Sequence, residues 1–494
     1  MPSFDLDRAA SRLDDAEHRW AATPWWDYPR LDREHRSRTL SVPDWFPDWY
    51  LTRPDDVGHL AAHSGRPLAA AALLSMHPDG HVREAAVRVL SAVVDPGAVP
   101  FLLVRAADWV EPVRRRAQAA ILARAQHPAG ADKLLPAVPL LERLAAGTTR
   151  SGAFAADVLD RLAADLTTPA LVAGLTSDDR RVRRGSARLL ADRGEVAGEA
   201  LTAALRQHEL VTAVIVGTAA LDRAPTDAVV AALWGSSIAP LRLLVLHRAQ
   251  AGETGEAGET GEAGDDPMAP ALSDAGLFDR SPNVRLLAQQ HLAGRGADLR
   301  RRYQAALPGQ VVALRGLAEV ARPDEADGVA AVVAPYLTDE RARAREFAVQ
   351  ATGTLSGAAS RPVILAMLDD LSPAVVRAAG RVLERQGLDA AALDDLWARA
   401  QATDRAVVRR AAFGVFLRQS RWPRLVLACR ALTAADDDLR HRGQLLLRAA
   451  LTGWHHAFTR PSPAQLDELD RLAPEAAADL PPAVGRALLD LLRR

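Results

Sequence analysis

One short unit recurs along the chain, and its period restricts the fold more than any other feature. The unit is a turn, usually holding an aspartate, then an apolar residue and an arginine, then an Ala-rich stretch. It reads HPDGHVREAAVRVL around Arg83, DWVEPVRRRAQAAIL around Arg114, SDDRRVRRGSARLL around Arg183 and SPNVRLLAQQHL at Arg285. Further copies are TDERARAREFAVQA at Arg345, SPAVVRAAGRVL at Arg377, TDRAVVRRAAFGVF at Arg409 and ADDDLRHRGQLLL at Arg440, with a weaker one, APLRLLVLHRA, at Arg242. The steps 83→114, 345→377, 377→409 and 409→440 are 31, 32, 32 and 31 residues. Units without the arginine fit near Phe154, Thr212 and Ala313, which makes about twelve in all. A period of this size marks a repeat array, in which each unit buries its apolar face only against its neighbours. A chain of 494 residues is too long for one compact core, and an array removes that limit.

Each position of the unit has a mechanical reason. Asp79, Asp108, Asp279, Asp339 and Asp404 stand in the turn before a helix, where a carboxylate accepts from free N–H groups and answers the positive helix end. Pro112, Pro240 and Pro282 fall near the first helical turn, where a missing N–H costs little. Before the arginine the residue is apolar: Val82, Val113, Val182, Leu241, Val284, Val376, Val408 and Leu439. Three residues after it the side chain is small in eight of nine copies (Ala86, Ala117, Ser186, Ala288, Ala348, Gly380, Ala412 and Gly443, with Val245 the exception), which lets a partner helix approach closely. Shorter apolar stretches such as AVPFLLVRAA (98–107) and RPVILAML (361–368) run between copies, giving two helices and two turns per unit. Composition agrees, because hydrophobic residues are 49% but aromatics only 5%, so Ala, Leu and Val carry the apolar surface. Ala and Leu are strong helix formers, and the alternation expected of strands is scarce. The fold expected is all-α, an α–α superhelix of about twelve helix pairs.

This pattern resembles the HEAT-repeat family, and more closely the short bacterial HEAT-like repeats of phycobilin lyases. The resemblance covers roughly residues 65–450. It implies an armadillo-like solenoid in which the second helix of each pair lines the concave face, so the Arg-bearing helices would look inward. It implies little about activity, since such arrays host scaffolds, enzymes and nucleic-acid binders.

Two segments break the period. Residues 251–266, AGETGEAGETGEAGDD, are low in complexity and carry six acids and no base, the composition of a flexible acidic linker. Residues 1–60 hold five of the ten tryptophans: Trp20, Trp25, Trp26, Trp45 and Trp49. The organisation expected is therefore a Trp-rich cap or binding segment (1–60), a first arc (61–250), the linker (251–266), a second arc (267–460) and capping helices (461–494). Charge follows these divisions: −4 on 1–60, −6 on 251–266 and −2 on 461–494, which leaves +11 on the repeats within a net charge of −1. Nearly all of it is guanidinium, because Lys133 is the only lysine.

Three sets of residues are candidates for function. The repeat arginines have a plain structural account as an Asp–Arg ladder, since an arginine in a helix's first turn is unfavourable unless a carboxylate answers it. Arginines beyond that need, Arg115, Arg116, Arg184 and Arg410 above all, are candidates for anion binding, with a solvated helix face as the plain account. Trp25, Trp26, Tyr28, Trp49, Tyr50 and Trp109 are candidates for partner binding, because Trp and Tyr anchor interfaces, with an aromatic cap over the first repeats as the plain account. The histidines do not form a metal site: His455 and His456 are adjacent, His77 and His81 straddle a turn, and HExxH is absent. Lone Cys429 excludes an intrachain disulfide and a cysteine zinc cluster, and reads as a buried inert thiol. No cofactor and no metal are expected.

No GxxxxGK[ST], GxGxxG after a strand, or GxSxG occurs, so no familiar reaction is written in the chain. No apolar run approaches the roughly 18 residues that span a bilayer, and MPSFDLDRAA is not a secretory signal, so a cytoplasmic location is expected. The reading is a non-catalytic scaffold that binds a protein partner through its concave helical face and Trp-rich N-terminal region. The alternative is a HEAT-like DNA-binding enzyme of the alkylpurine DNA glycosylase type. That family is similar in its basic concave wall with aromatic and acidic residues, here Trp109 and Asp108. No motif carries its catalytic residues onto this chain.

Overall fold

The computed structural model describes residues 6–11, 13, 27–30, 32, 51–127, 130–147, 151–207, 209–253, 268–452 and 460–492. Every regular element among them is helical. The chain divides into two units, Met1–Val245 and Leu246–Arg494. Their boundary falls inside the helix Ala239–Glu253, just ahead of the acidic stretch 251–266. Residues 254–266 of that stretch lie outside the described residues.

In the first unit the helix Pro54–His63 leads into six pairs: Pro67–Leu74 with Gly80–Ala92, Val99–Arg105 with Glu111–Ala125, Val138–Ala145 with Gly152–Asp165, Thr168–Gly174 with Arg180–Arg193, Glu199–Arg206 with Leu210–Arg223, and Asp227–Trp234 with Ala239–Glu253. The second unit has six more: Met268–Gly276 with Pro282–Gly294, Leu299–Ala306 with Ala313–Val320, Ala326–Val333 with Ala342–Leu355, Arg361–Ala366 with Pro373–Gln386, Ala390–Ala402 with Ala406–Arg418, and Arg421–Leu432 with Asp437–Leu451. Pro463–Ala478 and Pro482–Leu492 follow as a terminal pair. The protein is thus an all-α, helix-pair solenoid, and the Arg-less units near Phe154, Thr212 and Ala313 are second helices like the others.

The repeat pattern accounts for how these helices start and pack. Asp79, Asp108, Asp279 and Asp339 each accept the N–H two residues on, from His81 (2.8 Å), Val110 (3.0 Å), Ser281 (2.7 Å) and Arg341 (2.8 Å). Such bonds satisfy donors that a helix start leaves open. Asp404 departs from the expectation: it is exposed, and the Thr403 hydroxyl accepts the Arg405 N–H at 3.1 Å instead. Each apolar residue before the arginine is buried, as are the small residues after it. Second helices stack on one another, for example Ala342–Leu355 on Pro373–Gln386 and that on Ala406–Arg418. Closeness depends on the small residues. A Cβ on Gly380 would stand 2.9 Å from the Ala411 Cβ, and one on Gly443 would stand 3.0 Å from the Ala431 Cβ.

Cys429 is fully buried, and burial pushes its thiol up to about 12, so it stays protonated and unreactive. Among the described residues no helix is long and apolar enough to cross a membrane. Among the same residues no group of three His, Cys, Asp or Glu is placed to hold a metal ion. His77 is buried and its Nδ1 accepts the Asp79 N–H at 3.0 Å, so it belongs to its turn.

Candidate functional site

In most units the arginine folds back over the turn that precedes its helix. Arg83 Nη1 donates to the carbonyls of His77 (2.9 Å) and Pro78 (2.8 Å), six and five residues earlier. Arg183 does the same to Ser177 and Asp178, Arg285 to Asp279 and Arg280, Arg345 to Asp339 and Glu340, and Arg440 to Ala434 and Ala435. In several units the other edge of the guanidinium meets a carboxylate from the next pair. Arg83 Nε and Nη2 reach the Asp108 carboxylate at 2.8 and 3.0 Å, and Arg345 reaches Asp370 at 2.7 and 3.0 Å. Arg409 reaches Asp436 at 3.1 and 2.8 Å.

An arginine in a helix's first turn would be expected to be answered by the carboxylate of its own preceding turn, Arg114 by Asp108 or Glu111, and the geometry corrects that direction. Arg114 takes the carbonyl of Asp108 (2.9 Å), while the Asp108 carboxylate faces back to Arg83 of the preceding unit. It also corrects the register around Arg377, which is exposed. The sixth position after Asp370 is Val376, and it is fully buried. Arg405, from the following turn, donates to the Asp370 carbonyl at 2.7 Å and so covers the turn that has no arginine of its own.

In the first unit the ladder closes into a buried cluster. Arg105 Nη1 donates to Asp108 Oδ2 at 2.9 Å, and its Nη2 pairs with Asp32. Arg83, Arg105, Asp108 and Asp32 are all buried, so two positive charges face two negative ones out of solvent. Burial raises the Asp108 pKa, but the Arg83 hydrogen bond, the Arg105 charge and the Val110 N–H outweigh it and hold the carboxyl below its usual range. Both Asp108 oxygens are occupied, so this carboxylate is not free to act as an acid or base.

Trp109 stands on that cluster. Its side chain is 67% exposed, yet the Arg83 guanidinium lies 5.8 Å from its ring centroid, within cation–π range. Tyr28 has the opposite placement and does not offer a surface: it is buried, edge-on to Phe101 at 4.9 Å, and burial pushes its phenol pKa up. Tyr28 packs the N-terminal segment onto the first repeats. Trp25, Trp26, Trp49 and Tyr50 lie outside the described residues.

The four anion-binding candidates separate. Arg184 is engaged by Glu209 at 2.7 Å; against the upward pull of burial, hydrogen bonds from Arg184 and Thr212 bring Glu209 from its ordinary 4.5 down to about 2. Arg115 is 78% exposed and pairs with Glu111 four residues earlier. Arg116 lies 3.4 Å from Glu84. Arg410 is exposed, with no ion pair among the described residues. Such surface pairs hold an arginine only weakly.

A polar pocket of about 350 Å³ opens in the second unit where three successive second helices meet. Ala313–Val320 contributes Arg315 and Glu319, Ala342–Leu355 contributes Glu346 and Gln350, and Pro373–Gln386 contributes Arg381 and Arg385. Glu319 is held from behind by fully buried Arg285, whose Nε donates to it at 2.9 Å and whose Nη2 takes the other oxygen. Glu346 accepts from Gln350 Nε2 at 3.3 Å and lies 3.8 Å from Arg381. Arg315 is half-buried, 5.7 Å from the Phe347 ring centroid, and makes no hydrogen bond or ion pair among the described residues. Burial and the nearby Arg285 charge both pull its pKa down. Sequence reading missed these arginines. The Arg381–Arg385 spacing of four was visible, but Arg315 sits in an Arg-less unit and its convergence with the others is tertiary. A second pocket, about 400 Å³ in the first unit, is lined mainly by apolar groups such as Val93, Val94 and Val99. Its Arg124 is engaged by the Leu90 carbonyl at 2.9 Å.

No protein-family model matches the chain, and no curated protein matches it. Solved structures give distant likenesses. The karyopherin Kap121p bound to the extreme C-terminus of the phosphatase Cdc14p aligns at TM-score 0.37 and 14% identity, over 99% of this chain and 68% of that one. Importin beta aligns at TM-score 0.33 and 12% identity, over 99% and 71%. An engineered protein aligns at TM-score 0.20 and 16% identity, over 86% and 98%. The chain spans about two thirds of the length of the karyopherin Kap95p, which it matches at TM-score 0.32. Scores this low carry no functional argument.

Proposed function

We propose that this chain is a non-catalytic scaffold of short HEAT-like repeats that binds another protein, with Trp109 as an anchor of the binding surface. The observation that supports this is the pairing of an exposed tryptophan with a buried ionic base. A large aromatic side chain held in place before binding loses little freedom when a partner covers it, and such residues dominate interface energetics. The Trp-rich segment around Trp25, Trp26, Trp49 and Tyr50 is a second element of the proposed surface on the strength of its composition. A glycosylase-type reading would need a free carboxylate beside the aromatic residue, and Asp108 does not supply one.

The test is capture of a partner by the full-length protein and by Trp109→Ala, compared at equal loading with melting temperatures measured in parallel. Loss of an anchor residue costs about 2 kcal/mol or more, which is a weakening of more than tenfold. A variant that melts like the parent and captures the same partner tenfold less supports the anchor. Unchanged capture by Trp109→Ala overturns it.

A further inference from the structure

We propose that the pocket between Ala313–Val320, Ala342–Leu355 and Pro373–Gln386 is a binding site for a phosphate monoester, gripped by Arg315, Arg381 and Arg385. The proposal is independent of the scaffold reading and of Trp109. Four arginines (Arg285, Arg315, Arg381 and Arg385) stand against two carboxylates (Glu319 and Glu346), so the site carries two uncompensated positive charges. A phosphate monoester carries about −1.5 to −2 near neutral pH on one compact group, which matches that excess. Two separate carboxylates would have to be spread over a larger ligand.

The arginines are arranged to receive such a group. Arg315 lines the pocket without a hydrogen bond among the described residues, answered only through the charges of Glu319 and Glu346, although partial burial makes an incompletely paired guanidinium unfavourable. Planar guanidinium forks bind phosphate oxygens in pairs, and partly buried Arg315 would do so more strongly than it could in open water. Arg381 lies 3.8 Å from Glu346, too long for a hydrogen bond, so it can turn to a ligand without breaking one. Glu319 opposes an anion least, because Arg285 already engages both its oxygens. The volume of about 350 Å³ lies at the small end of ligand pockets, roughly 300–1,000 Å³, and its charged lining suits a head group rather than an apolar body.

The test is titration of the full chain with inorganic phosphate at constant ionic strength, followed by calorimetry, with sodium chloride as the matched control. Saturable phosphate binding is expected, weakened at least tenfold in Arg315→Gln. Arg315 also packs on Phe347, so the double variant Arg381→Ala/Arg385→Ala, at two exposed positions, gives an independent reading and is expected to show the same loss. A parallel titration with O-phosphoserine distinguishes the source: tighter binding than inorganic phosphate assigns the group to a modified protein, equal binding to a free small molecule. Phosphate heats no larger than those of chloride, or variants that bind as the parent does, would overturn the proposal.

Discussion

The buried cluster around Asp108 and the pocket around Arg315 are built from the same materials with opposite results. In the first unit, two arginines meet two aspartates and the charges close on themselves out of solvent. In the second, Arg285 takes one glutamate, a second glutamate only half-answers Arg381, and Arg315 and Arg385 are left over. An arginine on a second helix therefore carries no fixed meaning. Whether it is structural or available depends on whether a neighbouring unit brings a carboxylate to it.

Removing the carboxylate from the fully buried rung of the ladder and from a partly exposed one should give the largest effect and the sharpest contrast. Asp108→Ala leaves Arg83 and Arg105 charged and buried, a loss on the order of 3–5 kcal/mol. Asp370→Ala removes the partner of Arg345, which keeps some solvent contact, so a loss of roughly 1.5–3 kcal/mol is expected. Urea unfolding measures both. Equal losses would mean that burial does not distinguish the two settings.

Next in size is the register test. Arg405→Ala uncovers the Asp370 carbonyl and should cost about 1–2 kcal/mol, whereas Arg377→Ala should change stability by less than about 0.5 kcal/mol. The sequence pattern alone gives the reverse order, so thermal melts of the two variants decide between them.

A pH series examines the Arg184–Glu209 pair. The Glu209 pKa is depressed in the folded state, so its contribution is fully present above about 4.5 and disappears as pH falls through about 2. Arg184→Ala should therefore melt below the parent at pH 7, and the gap should close between pH 4.5 and 2. A gap that stays constant across that window would show that Arg184 acts through packing. The smallest effects are expected at Arg115→Ala and Arg410→Ala, within about 0.5 kcal/mol in the same melts.

Much of the fold was legible because its determinants are local. The Asp of the turn, the Val before the arginine and the small residue after it lie within one helical turn or two, and each does what its chemistry dictates. Asp404 and Arg377 fail for local reasons as well: a threonine next door caps better placed, and a one-residue offset puts Val376 in the arginine's slot. Of the candidate site, Trp109 was legible as a candidate partner-binding aromatic, but its ionic base was not. For Tyr28 the sequence left a partner surface and an aromatic cap both open, because nothing nearby in sequence announces Phe101.

The sequence by itself determined the period, the helix pairs and the positions that must be buried or small, since these follow from spacings of a few residues repeated every 31 or 32. Only the tertiary structure decided which carboxylate answers which arginine. Those partners lie 25 residues on for Arg83 and Arg345, 27 for Arg409 and 34 for Arg285. A guanidinium's partner is chosen by the distance and direction of groups that stacking brings together, and a repeat that is only approximately regular moves those groups by ångströms from one unit to the next. Ion pairs are sensitive to such shifts in a way that apolar burial is not.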